Sequence, residues 1–268
     1  MIIYPCLSTG AIAQFPILQT AVHRTVRSTL QDGTQISWPD LPARSMKWAI
    51  LYRGLSDTEV RTLTDFFLST QGSLQPFLFL DPTANLLAFS EDFSNAVWSV
   101  QGVSMEQGVS DPLGGLRAVR VHNYTADYAG VAQSTAIPGI AQTCFSVYLR
   151  SGAGASALLT RTAGNALQST RVPVDHTWRR FTITSTLSSV ESTSSFAVTG
   201  PPGSAIEVFG PQVDAQGGPS PYITSGAGSG IYSNAHFDTE AIHVEATGPN
   251  RNSCDVTIRC ARPSGGNQ

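Results

Sequence analysis

The stretch from Trp48 to Pro82, WAILYRGLSDTEVRTLTDFFLSTQGSLQPFLFLDP, leaves the chain the fewest choices. Met46, Trp48, Ile50 and Tyr52 alternate with Lys47, Ala49, Leu51 and Arg53, the period of a strand with one buried face. Ser56-Asp57-Thr58-Glu59 reads as a capping box, in which serine and glutamate each satisfy the other's backbone amide. Val60, Leu63, Phe66 and Phe67 follow at helical spacing as one apolar stripe, and Asp57 and Arg61 stand four apart as a surface pair. Gly72 is placed to end the helix, since glycine takes positive φ freely. Phe77-Leu78-Phe79-Leu80 then runs apolar without alternation up to Asp81-Pro82, so that strand needs cover on both faces. A strand, a capped helix and a second strand are expected here, with Trp48, Phe66, Phe67, Phe77 and Phe79 in the core.

After Asn85 the texture changes. Short alternating runs recur between Gly, Pro, Ser and Asn: 116–122, 143–150, 157–162, 178–186, 194–199 and 205–211. This spacing argues for a β-sandwich of jelly-roll type. The Gly/Ser stretch 224–230 reads as a joint. Beyond it, 241–246 and 254–260 form a hairpin that is marginal alone and needs a sheet to join. The expected fold is therefore mainly β: an α+β first domain of residues 1–84 plus 231–262, with one helix on a sheet or barrel. A β-sandwich of 85–230 is inserted in it, and 263–268 form a flexible tail. Before the first strand, 21–29 and 35–38 flank the hairpin signal Asp32-Gly33, and the opening 18 residues read as an arm or an edge strand.

Composition narrows the function classes. Charged residues make up 13% of 268, about half the usual quarter, and the net charge is −3. A surface this poor in charge suits a subunit buried in an assembly, or equally reflects a compositional bias of the genome that encodes it. There is no basic run, so no nucleic-acid footprint, and no apolar run of the roughly 20 residues that cross a bilayer. With no leader pattern visible, the chain is expected to fold in the cytoplasm of the cell that makes it. Cys6, Cys144, Cys254 and Cys260 show no CxxC and no His/Cys cluster, so free buried thiols are expected and no metal. Cys254 and Cys260 share one face of a single strand about 20 Å apart, at ~3.3 Å per residue, and cannot bridge.

Catalytic groupings are weak. His23, His122, His176, His236 and His243 are scattered with no triad pattern. Glu91-Asp92 and Glu106 with Asp111 are the carboxylates one would test for glycoside hydrolysis, but spacing in sequence cannot supply their separation. The glycines at 226, 228 and 230, and at 152 and 154, open no helix after a buried strand, so they are turns and not phosphate loops. No catalytic residue, cofactor or enzyme activity is expected. Tyr124 and Tyr128, in the loop HNYTADYAG, are the candidate glycan contacts, offering flat faces and hydroxyls.

The segment Trp48–Pro82, with its strand, Gly-Leu-Ser-Asp helix start, Phe-Phe, Gly and Phe-x-Phe-x-Asp-Pro strand, resembles the N-terminal domain of phage distal-tail and tail-tip proteins, and CDVTIRC resembles the strand that closes such domains. The ends of the inserted region, NLLAFSEDFSNAVWS and FGPQVDAQGGPSPYI, and the strand DHTWRRFTIT resemble a carbohydrate-binding-module-like jelly roll found in phage tail proteins, and this resemblance implies that Trp98 and Trp178 pack in the core. The resemblance implies a structural virion protein: a homo-oligomeric ring, often a hexamer, joining tail tube to tip or baseplate and contacting hub or fibre proteins. The alternative it carries is a carbohydrate-binding attachment protein of the tail, with host-surface glycan as partner.

Overall fold

The computed structural model describes residues 2–261, so the expected tail at 263–268 lies outside the described residues. The fold is mainly β. The chain opens with β1 (Ile17–Thr29), β2 (Gln35–Leu55), α1 (Asp57–Ser69) and β3 (Phe77–Leu80). Next come β4 (Trp98–Gln101), β5 (Val103–Val109), β6 (Ala118–Asn123), β7 (Ala129–Thr135) and β8 (Thr143–Arg150). β9 (Ala155–Ala163), β10 (Ala166–Val174), β11 (Arg179–Ser185), β12 (Ser194–Gly200) and β13 (Ala205–Asp214) follow. The chain closes with β14 (Ile231–Phe237), β15 (His243–Gly248) and β16 (Arg251–Ala261). Two compact units result, Met1–Leu80 with Tyr232–Gln268, and Asp81–Ile231.

In the first unit the sheet order is β1-β2-β16-β14-β3, with β15 also on β16. The closing strand pairs Ser253–Ala261 against Ser45–Arg53 of β2, which puts Trp48, Ile50 and Tyr52 on one face with Cys254, Val256, Ile258 and Cys260. All seven are buried. The capping box forms: Ser56 Oγ accepts from the Glu59 amide at 3.3 Å, and Glu59 Oε2 accepts from the Ser56 amide at 2.9 Å. Asp57 accepts from Asn252 Nδ2 at 2.8 Å. Leu63 and Phe67 face inward. Phe66 is half-buried, edge-on to Phe77 at 5.2 Å, and Phe67 meets Phe237 at 5.0 Å. The left-handed turn after α1 begins one residue earlier than Gly72, at Gln71 (φ 54°).

Among the described residues the opening segment touches β3 through a single parallel bridge, Ile3 to Leu78, and continues as a strap. Tyr4 N donates to Leu78 O and Leu78 N to Ile2 O, both at 2.8 Å, covering the β3 edge. Ser8 then fastens to Glu59 Oε1 through its amide (2.9 Å) and hydroxyl (2.7 Å). The hairpin β1–β2 runs well beyond the sheet. Arg24–Thr29 pairs with Gln35–Asp40, and among the described residues no other strand lies beside that part of β2. Leu30, Ile36, Trp38 and Leu41 are exposed on this arm. Cys6 is also exposed, a correction to the expectation of buried thiols, because the strap leaves it on the outside; the other three are buried.

The second unit is a two-sheet sandwich, β10-β9-β12-β7-β4 against β11-β8-β13-β6-β5. Phe145 of one sheet meets Phe196 of the other at 5.6 Å between them. A void of about 10 Å³ lies between the sheets beside Val121, Val198 and Ile206, room for one water at most. Trp98 is buried against Phe93 at 4.9 Å and donates Nε1–H to Phe89 O. Arg161 is fully buried at the sandwich end. Its guanidinium donates to the carbonyls of Pro138, Gly139, Ala141 and Ser185 and to hydroxyls of Thr143, Ser185 and Ser194, with no carboxylate among them.

Candidate functional site

The outward face of the second sheet carries the chemistry. Inward-facing Phe145, Val147 and Leu149 leave Cys144, Ser146, Tyr148 and Arg150 of β8 on the outside, and the pairing register lines up their neighbours. Arg150 stands opposite Glu207 of β13, Glu207 opposite Arg120 of β6, and Arg120 opposite Glu106 of β5. Four strands thus present one row of alternating charge. Glu207, which is buried, accepts from Arg120 Nε and Nη2 at 3.2 and 2.7 Å and from Arg150 Nε. Arg120 Nη1 reaches Glu106 at 2.7 Å, and Arg150 Nη2 reaches Ser110 Oγ at 3.1 Å.

Rings border this row. On one side Arg180 of β11, Tyr148 and Phe209 are register neighbours, with the Arg180 guanidinium 5.6 Å over Tyr148 and Tyr148 6.0 Å from Phe209. Trp178, just ahead of β11, lies under Arg150 at 4.8 Å. This corrects the expectation for Trp178: it is not in the inter-sheet core but half-buried on the outer face, beside Val109, Ala118 and Phe209. Two residues before Arg180 is the same side of the strand as Arg180, and Arg180 faces outward with Tyr148. On the other side His122 stacks on Tyr124 at 6.0 Å, their planes 10° apart.

A bulge between Phe209 and Gln212 shapes one wall. Gly210 takes φ +57° there, and a Cβ on it would come within 2.8 Å of the Tyr222 ring. Past the bulge, Gln212 and buried Asp214 hold Ser220 Oγ, at 2.7 and 2.5 Å, while Arg180 Nη1 donates to Ser220 O at 2.6 Å. Burial raises the Asp214 carboxyl, and its bonds from Ser220 and Gln212 oppose that. The segment through Tyr222 is thereby strapped over part of the sheet, with the Tyr222 hydroxyl on Ser90 Oγ (3.0 Å) and Glu91 Oε1 (3.1 Å).

The two loop tyrosines part company. Tyr124 is 75% exposed beside the charged row, whereas Tyr128 lies under Arg171 of β10, on the other sheet, at 5.5 Å. Of the carboxylates considered for hydrolysis, Glu91 and Asp111 both engage Arg117, at 3.1 and 2.9 Å, and Glu106 engages Arg120. Burial works against the charge of Asp111. The Arg117 guanidinium and the amides of Gly115, Leu113 and Arg117 outweigh it and hold the carboxyl down at about 2. That is the wrong direction for a general acid. Among the described residues, no three His, Cys, Asp or Glu side chains gather as a metal site, and no helix is long and apolar enough to cross a membrane. The charged row was hidden in the sequence because its members come from four strands up to 101 positions apart, Glu106 to Glu207. Only the alternation within each strand hinted which side chains point outward.

No family model and no curated protein matches the chain. Solved structures do. The enzymatically active domain of bacteriophage CBA120 tailspike protein 4 is similar over 51% of this chain and 22% of its own, at 13% identity and a TM-score of 0.40. The CBM22-1 xylan-binding domain of Paenibacillus barcinonensis Xyn10C is similar over 50% of this chain and 96% of its own, at 14% identity and a TM-score of 0.42. TmCBM61, solved with β-1,4-galactotriose, is similar over 50% and 100%, at 15% and 0.37. These likenesses are weak and partial, and the reading of the site stands on its own side chains.

Proposed function

We propose that this protein is a component of a phage tail that binds carbohydrate on the host surface, without turning it over, through the outer face of the sheet β11-β8-β13-β6-β5. The carrying observation is the row Arg150–Glu207–Arg120–Glu106 flanked by Trp178, Tyr148 and Tyr124. Pyranose rings have apolar faces that lie on aromatic plates and hydroxyls that pair with fixed donors and acceptors at their rims, and this face supplies both. The phage setting rests on the resemblance of Trp48–Pro82 to tail-tip proteins. Binding of the purified chain on a broad glycan array, lost on Trp178→Ala and weakened on Tyr124→Ala, is the expected result. An array with no bound glycan overturns it.

A second reading, compatible with the first, is favoured by the arm. A two-stranded hairpin with no third strand is marginal in water, and this one shows Ile36 and Trp38 to solvent. A second copy covering it makes the chain a ring-forming structural subunit of the virion, a hexamer in the form the resemblance implies, between tail tube and hub or fibre proteins. A heterologous contact that closes is what such a ring needs. The chain is expected as a closed oligomer by native mass measurement; a strict monomer at micromolar concentration removes this second reading and leaves the first.

A further inference from the structure

We infer that the saccharide taken by this face is acidic, carrying a carboxylate that seats at the Trp178 end of the charged row. The inference rests on the carbohydrate-binding reading and goes beyond it in naming the ligand class. Hydrogen-bonding capacity at that end is unbalanced. Glu207 already accepts three bonds from two arginines. Among the described residues of the sandwich unit the buried side-chain polar atoms without a partner are Trp178 Nε1 and Arg180 Nε, donors that both belong to this one block of the face. Arg150 spends Nε on Glu207 and Nη2 on Ser110, and its Nη1 makes no bond among the described residues.

Buried donors without acceptors are costly in a native structure and call for an explanation. A neutral sugar hydroxyl can accept, but it also brings a proton that needs its own acceptor. A carboxylate brings acceptors only. Arg150 and Arg120 share one buried carboxylate, Glu207, Arg180 donates to Ser146 and to Ser220 beside buried Asp214, and Glu106 stands at the far end of the row, beside His122. The planar guanidinium of Arg150 rests on the indole, 4.8 Å away, and in rising from the ring it can meet a carboxylate side-on while the sugar takes its place. The strapped segment at Ser220 closes the opposite side through Arg180.

The test uses the full chain and matched pairs of oligosaccharides, each a uronic-acid oligomer and the same oligomer with its carboxyls methyl-esterified, titrated by calorimetry. The acidic member of at least one pair is expected to bind about tenfold tighter or more, and to weaken with added salt. Trp178→Phe keeps the plate and removes the N–H, so it is expected to cost the acidic ligand several-fold and the ester little. Near-ultraviolet circular dichroism confirms that the variant is folded. Equal binding of acid and ester, or preference for the ester, overturns the inference while leaving carbohydrate binding intact. Glycan-array binding confined to neutral sugars does the same. No binding to any saccharide removes both.

Discussion

At the scale of single residues, the two units are held by polar groups whose surroundings are set by burial. Arg161 is the extreme case. Burial pulls its guanidinium down to about 10, yet it stays charged at neutral pH while tying four carbonyls and three hydroxyls at the sandwich end. Arg161→Met strands those acceptors and is expected to cost about 3–5 kcal/mol, read by urea unfolding. A loss below about 1 kcal/mol would mean that water replaces the guanidinium freely. Carboxylates give the acid limb. The bonds from Ser8, then from Ser56, hold Glu59 at about 2, below its ordinary 4.5, and Asp111 sits at about 2 against 3.8. Both folded values are depressed, so the unfolded chain takes up these protons first. Their stabilisation is complete above about pH 4.5 and is lost as pH falls towards 2. The melting temperature is expected to drop across that window, and Glu59→Gln is expected to flatten the drop. An unchanged slope would show that other carboxylates dominate.

At the scale of elements, the most informative piece is the one that does least within its own chain. Along β1 and the first residues of β2 the side chains of Val26, Trp38, Ser28 and Ile36 share one face by register, and the edge of β1 carries no proline and, among the described residues, no covering strand. Natural sheets shield such edges, so a partner is the physical expectation. Replacing residues 24–40 with a two-residue Asn-Gly turn is expected to leave the melting transition of the core within a few degrees and to abolish any oligomer in light scattering. An oligomer that survives the deletion would place the contact elsewhere. The helix offers a contrast, because nearly all of its support lies inside the unit. Ser56→Ala removes the cap and is expected to cost about 1 kcal/mol, and Phe77→Ala about 3–5 kcal/mol, in the same unfolding measurement.

At the scale of the whole molecule, the parts legible in the sequence are those set by local chemistry. Ser56-x-x-Glu59 fixes a helix start, alternation at Met46–Arg53 fixes a buried face, and the runs at 143–150 and 194–199 fix strands that meet as Phe145 and Phe196. The mainly β class follows from these. The register is not local, and so the site is not legible. Nothing near Glu207 in sequence says that Arg150 and Arg120 flank it, and nothing near Trp178 says that Arg150 lies over it. Trp178 reads as core because the jelly rolls that this region resembles pack an aromatic at that place, and the outer face of this sheet is apolar enough to half-bury it. Tyr124 and Tyr128 read as one pair because they share a loop, but that loop joins strands of different sheets, β6 and β7, and its two ends serve different faces.

The account is tested most directly by hydroxyl-radical footprinting of the chain with and without a saccharide that it retains on an array. Protection of Trp178, Tyr148 and Tyr124, with Tyr128 and Leu167 of the opposite sheet as reactive as before, is the predicted pattern. Protection confined to Tyr128 and Leu167, or to the hairpin around Trp38, would contradict it.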